Sequence, residues 1–161
     1  MHTLDFAIQT EVERVRYYSE QAQKNQGTTM QKVFEILAEE ELEHELILRR
    51  ILSDTFSEIE ENTKLKSMQT IFANLDHFKD EIRDNPHQID VYRLARDLEQ
   101  KSIDLYQQMA HEAQNDIEKT VLGYLIRQET HHYQILDEFM VRIGRPEEWV
   151  ESAEFGEREE Y

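Results

Sequence analysis

The chain repeats itself with a shift of 88 residues, and the repeat is helical. Ala7 maps onto Ala95, Glu11 onto Glu99, Val15 onto Ile103, Tyr18 onto Tyr106, Glu41 onto Glu129 and His44 onto His132. Within each copy the apolar positions alternate in steps of four and three, the period of one helix face. A first helix over about 3–25 carries the seam Leu4, Ile8, Glu11, Val15, Tyr18, Ala22. A second, over about 30–52, carries Met30, Phe34, Leu37, Glu41, His44, Leu48. The third, about 89–115, has Tyr92, Ala95, Glu99, Ile103, Tyr106, Ala110, and the fourth, about 117–143, has Leu122, Leu125, Glu129, His132, Leu136, Phe139.

Breaks are few, with four glycines and two prolines in 161 residues. Gly27 separates the first two helices, and Thr28 or Thr29 is placed to cap the second. Gly144-Arg145-Pro146 is a helix stop, followed by an acidic tail, 145–161, whose Trp149, Val150 and Phe155 are expected to dock. The link over 53–88 is too long for a structureless loop, and Leu65 to Phe78 is expected to form a short helix in it. Short links within each half and a long one between halves predict an all-α single domain over 1–161. It is a four-helix bundle of two helical hairpins joined by a crossover.

Each copy places a lone glutamate 30 residues before a Glu-x-x-His pair. One Glu-x-x-His is weak, since a chain this rich in Glu offers about one by chance. Placement is what makes these two informative. Three residues turn a helix by about 300°, so Glu41 and His44 share a face, as do Glu129 and His132. All six residues interrupt apolar seams at mid-helix, so the bundle gathers four carboxylates and two imidazoles in its core. Burying a lone carboxylate costs several kcal/mol even after relaxation, and four together repel one another. Two divalent cations would cancel those four charges. Carboxylate and imidazole donors suit iron or manganese, and also zinc. Tyr18 and Tyr106, seven residues after Glu11 and Glu99, share those faces and could hydrogen-bond a metal-bound carboxylate. Glu39, Glu40, Glu43 and Glu45 fall off the seam and are expected on a solvated face, and His131 points away from it.

Composition removes other chemistries. The absence of cysteine excludes disulfides, thiolate nucleophiles and Cys-held clusters. A formal charge of −17 argues against nucleic acid, whose phosphates need Lys and Arg, and against anionic lipid. No apolar run reaches the ~18 residues of a membrane span, and no secretory leader opens the chain, so a cytoplasmic protein is expected.

Ala7-Ile-Gln-Thr-Glu-Val-Glu-Arg-Val-Arg-Tyr-Tyr, Leu37-Ala-Glu-Glu-Glu-Leu-Glu-His and Leu125-Ile-Arg-Gln-Glu-Thr-His-His resemble the first, second and fourth helices of the rubrerythrin family. That family belongs to the ferritin-like di-iron carboxylate proteins. The resemblance implies two iron ions, with Glu11 and Glu99 as terminal ligands, Glu41 and Glu129 as bridges, and His44 and His132 each capping one iron. It implies a dinuclear iron oxidoreductase that reacts with hydrogen peroxide or dioxygen, and a homodimer. Lacking the family's four-cysteine rubredoxin-like centre, the chain would draw on an external electron donor protein. Where many rubrerythrins carry an extra carboxylate, about one turn beyond the third-helix glutamate, this chain has Ser102. The remaining six-ligand set is closer to a bacterioferritin-type ferroxidase site. The other readings are a metal-binding or iron-handling protein without turnover, and a purely structural bundle.

Overall fold

The computed structural model describes residues 3–59 and 87–159, with side chains as far as 141. Four helices make up the described fold: α1 (Thr3–Lys24), α2 (Thr29–Leu52), α3 (Gln88–Glu112) and α4 (Asp116–Glu159). They pack as two hairpins, α1 with α2 and α3 with α4, in a four-helix bundle. The segment 65–78, where a short helix is expected, lies outside the described residues.

Local chemistry sets the helix ends. Asn25 turns its amide onto the Gln21 carbonyl at 2.7 Å. Gly27 then takes φ +81°, a conformation that glycine alone adopts without strain. Thr28 holds the N-cap position of α2, but its hydroxyl donates backwards to the Asn25 carbonyl at 2.7 Å. Gln31 reaches back instead, accepting from the Gly27 N–H at 2.9 Å. At the other end of α2, Asp54 sits at φ 59°. There the Asp54 N–H bonds the Ile51 carbonyl and the Thr55 N–H bonds the Arg50 carbonyl, the paired bonds of a left-handed helix cap.

Two boundaries differ from the sequence expectation. The third helix ends at Glu112 rather than Asn115, because Asn115 caps α4: its Oδ1 accepts the Glu118 N–H at 2.8 Å. The stop expected at Gly144-Arg145-Pro146 does not end α4, which runs on to Glu159. A proline removes one i→i−4 bond and can kink a helix, but it does not oblige the helix to end. The expected docking of Trp149, Val150 and Phe155 lies outside the described side chains.

The core divides into two apolar clusters. One, at the Gly27 end, contains Tyr18, Met30, Phe34, Leu37, Tyr92, Leu136 and Phe139. Its aromatic rings run in series: Tyr18 to Phe34 at 6.2 Å, Phe34 to Tyr92 at 5.7 Å, Tyr92 to Phe139 at 4.9 Å. The other contains Leu4, Ile8, Leu48, Tyr106, Met109, Leu122 and Leu125. Between them lies a layer of buried polar groups. Contacts across that layer also give the topology. As numbers rise on α1 through 11, 14 and 18, their partners on α3 fall through 106, 102 and 99, so the two helices run antiparallel. The same holds for α2 against α4, where His44 meets Glu129 and Glu40 meets His132. Helices α2 and α3 are therefore parallel.

Nothing lies within 4 Å of where a Gly27 Cβ would stand, so Gly27→Ala isolates the backbone term. A left-handed conformation costs an L-residue about 1 kcal/mol or slightly more. Urea unfolding of the variant should show that loss with an unchanged m-value, whereas wild-type stability would contradict the assigned turn.

Candidate metal centre

Glu11, Glu41, His44, Glu99, Glu129 and His132 are brought together, all essentially inaccessible to solvent. Their donor atoms form two groups that share Glu41 and Glu129. One group adds Glu11 and His44, the other Glu99 and His132. Both imidazoles turn Nδ1 inwards. His44 Nδ1 stands 3.2 Å from Glu41 Oε2 and 3.0 Å from Glu129 Oε1. His132 Nδ1 stands 3.4 Å from Glu41 Oε1 and 3.3 Å from Glu129 Oε2. Each shared carboxylate thus offers one oxygen to each half. Glu11 Oε1 lies 3.9 Å from His44 Nδ1, and Glu99 Oε2 lies 3.4 Å from His132 Nδ1.

The donor set fits a pair of metal ions. Bonds of about 2.0–2.2 Å to carboxylate and imidazole place neighbouring donors roughly 3 Å apart, which is the spacing found. Buried oxygens are also left over: Glu11 Oε2, Glu41 Oε1 and Glu99 Oε2 have no hydrogen-bond partner among the described residues. An unpaired buried carboxylate oxygen is costly, and a cation satisfies it.

Around the six lies a shell of polar side chains. Tyr18 donates to Glu99 Oε1 at 2.6 Å, and Tyr106 donates to Glu11 Oε1. Each tyrosine of one repeat therefore holds the terminal carboxylate of the other. Three further residues escaped the sequence reading. Glu40, expected on a solvated face, is fully buried and contacts His132 Nε2. Leu37, Glu40, His44 and Ile47 are also spaced three and four apart, so a second seam runs beside the first and carries Glu40 inwards. Of its neighbours, Glu39 is exposed and Glu43 and Glu45 are half-buried. Arg14 is buried where Val15 was expected, and its Nη1 donates to Ser102 Oγ at 2.5 Å. Positions 14 and 15 both continue a helical seam from Glu11 to Tyr18, and spacing does not choose between them. Gln128, the repeat mate of Glu40, is buried as well. His131 is exposed, as expected.

Without metal, these groups compete for protons. Burial and then the Glu41 charge push Glu11 well above the usual carboxylate range. Burial and then Glu129 raise Glu41. Burial and then Glu99 push Glu129 up to about 7. Burial would also raise Glu99, but the His132 charge and hydrogen bonds outweigh it and hold Glu99 low. Burial works against protonation of the two imidazoles. Glu129 overcomes it for His44 and Glu40 for His132, and both are raised. Tyr18 and Tyr106 are pushed well up, by burial first and then by Glu99 and Glu11, so both phenols keep their protons and donate.

A bundle of two helical hairpins with Glu and His from four helices buried between apolar clusters is a ferritin-like fold with a carboxylate–histidine centre. The chain belongs to the rubrerythrin family: the family model, Rubrerythrin, matches residues 2–140. Searches of curated proteins and of solved structures each gave no significant match. Among the described residues, no helix is long and apolar enough to cross a membrane.

The proton competition has a pH signature in metal-free protein. Glu11, Glu41, Glu129, His44 and His132 hold protons more tightly folded than unfolded. Their contribution is complete below the unfolded values and fades as pH rises through the folded ones, about 7 for Glu129. Glu99 alone works the other way, losing its contribution on acidification. Metal-free protein should therefore melt at least a few °C lower at pH 8 than at pH 5.5. Divalent metal should remove or reverse that slope. A metal-free melting temperature that rises from pH 5.5 to 8 would contradict the assigned proton load.

Proposed function

We propose that the chain is a dinuclear iron oxidoreductase of the rubrerythrin type, which consumes hydrogen peroxide or dioxygen with oxidation of Fe(II). The observation that carries this reading is the pair of shared carboxylates, Glu41 and Glu129, each turning one oxygen to each imidazole. Charge supports it. The buried layer holds five carboxylates (Glu11, Glu40, Glu41, Glu99, Glu129) and one guanidinium, Arg14. That leaves four negative charges, the charge of two divalent ions. Iron is the assignment, and manganese or zinc would suit the same donors.

Bound iron would supply a Lewis acid and a source of single electrons. The chain does the rest. Glu11, Glu41 and His44 would hold one ion with Glu129, and Glu99, Glu129 and His132 the other with Glu41. Tyr18 and Tyr106 fix the terminal carboxylates so that they do not swing away. The apolar clusters keep bulk water from both ends of the centre. A cavity of about 530 Å³ between α1 and α3, lined by Phe6, Arg14, Tyr17, Leu94 and Leu98, brings small molecules as far as Arg14. Two bound Fe(II) would supply the two electrons that, with two protons, convert hydrogen peroxide into two waters. Return to Fe(II) needs an external electron donor protein. A cytoplasmic homodimer is part of the same proposal.

Anaerobic protein should take up two Fe(II) per chain, and peroxide in a stopped-flow instrument should oxidise them far faster than free Fe(II). Oxidation no faster than that of free Fe(II) would sink the proposal. Metal uptake with fast oxidation but no repeated turnover with any reductant would favour iron handling instead. Glu41→Ala with Glu129→Ala should abolish paired binding. Metal at 100 times its dissociation constant should stabilise the wild type by about 2.7 kcal/mol. An unchanged melting temperature on chelation would leave only a structural bundle.

A further inference from the structure

The 88-residue repeat makes the two halves of the centre alike in their ligands and unlike behind them. His132 Nε2 is met by the buried carboxylate of Glu40. The equivalent atom of the other half, His44 Nε2, has no hydrogen-bond partner among the described residues. The residue matching Glu40 is Gln128, buried too, and its Oε1 is likewise unpartnered among them.

The difference bears on how firmly each imidazole can hold an ion. A carboxylate only accepts hydrogen bonds, so Glu40 fixes the His132 proton on Nε2 and leaves the Nδ1 lone pair facing the centre. Its charge also makes the ring a stronger donor, and such partners are worth 10–100-fold in metal affinity. Gln128 is neutral and carries both donor and acceptor, so it imposes neither tautomer nor charge on His44. Resting on the dinuclear reading above, we propose that Glu40 makes the half containing Glu99 and His132 the tight seat. The half containing Glu11 and His44, whose His44 Nε2 meets no such carboxylate, is then the labile seat. Arg14 opposes this, since its charge acts on Glu99 more than on Glu11. It does so through space, since its Nη1 donates to Ser102 and not to a ligand.

A seat that exchanges beside one that holds gives the centre a defined order of filling. The Glu99 and His132 half fills first and stays filled. The Glu11 and His44 half fills second and is the one emptied by a competing chelator.

Anaerobic Co(II) titration, followed by calorimetry and by visible absorption, reads this without turnover. Wild-type protein should bind in two steps separated by tenfold or more. Glu40→Gln should weaken the first step 10–100-fold and leave the second nearly unchanged. Gln128→Glu should tighten the second step and bring the two together. A general loss of packing would shift both steps alike, so step-selectivity separates positioning from a structural role. If Glu40→Gln fails to fold, the convergence expected from Gln128→Glu still decides. Two equal steps in the wild type, or a Glu40→Gln effect shared by both, would overturn the inference while leaving a dinuclear centre standing. Absence of cobalt binding would overturn the dinuclear reading and this inference with it.

Discussion

Five carboxylates buried in the apolar core of a small helical bundle are the constraint on which the rest depends. In water each would be solvated on all sides. Here each is stripped of water, and the attraction of a neighbouring cation or proton becomes correspondingly strong. Apolar packing could not hold such a layer together by itself. Metal-free, it survives by taking up protons, which is why Glu129 is pushed up to about 7 and both imidazoles are raised. With metal the same oxygens become ligands. Protons and divalent ions would thus compete for one set of sites.

The pseudo-symmetry of the repeat lets so short a chain build such a layer. Each hairpin supplies one terminal glutamate, one shared glutamate and one histidine, and closes the other hairpin's terminal glutamate with a tyrosine. Neither hairpin holds a complete set: His44 needs Glu129, and Glu99 needs Tyr18. The centre therefore clamps the hairpins together across the one layer where apolar contact is interrupted. The aromatic series from Tyr18 to Phe139 and the aliphatic cluster around Leu48 and Leu125 then bury the clamp from either end.

Much of this was legible in the sequence because helical period and internal repetition reinforce each other. The four helices, their pairing and the six converging residues follow from seams in which Glu and His stand where Leu or Val would otherwise be. What escaped lies where one seam position is as good as the next. Arg14 and Val15 both fit between Glu11 and Tyr18, and only three-dimensional packing chose the guanidinium. Glu40 belongs to a second seam one step from the first, and among Glu39, Glu40, Glu41 and Glu43 no spacing rule singles it out. The repeat held an overlooked signal. Glu40 maps onto Gln128, two long polar side chains each directly before a shared glutamate. At Gly144-Arg145-Pro146 local propensity gave the wrong answer, because a proline weakens a helix without obliging it to end.

Arg14 and Ser102 show how one departure from the family's pattern alters the charge of the whole site. Where many rubrerythrins carry a further carboxylate, this chain has a hydroxyl that accepts from a buried guanidinium. The guanidinium offsets one of the five buried carboxylates, and two divalent ions would then leave the layer neutral. On the proposed function, oxidation of two bound Fe(II) would add two positive charges to that neutral, water-poor layer. In the metal-free layer Tyr18 and Tyr106 hold their protons well above the ordinary phenol range, through burial first and then the charges of Glu99 and Glu11. Without a further carboxylate to swing in, the balancing negative charge would come from the reduced oxidant itself. On the proposed function, electron transfer at this centre would be tied to where the oxidant's protons go.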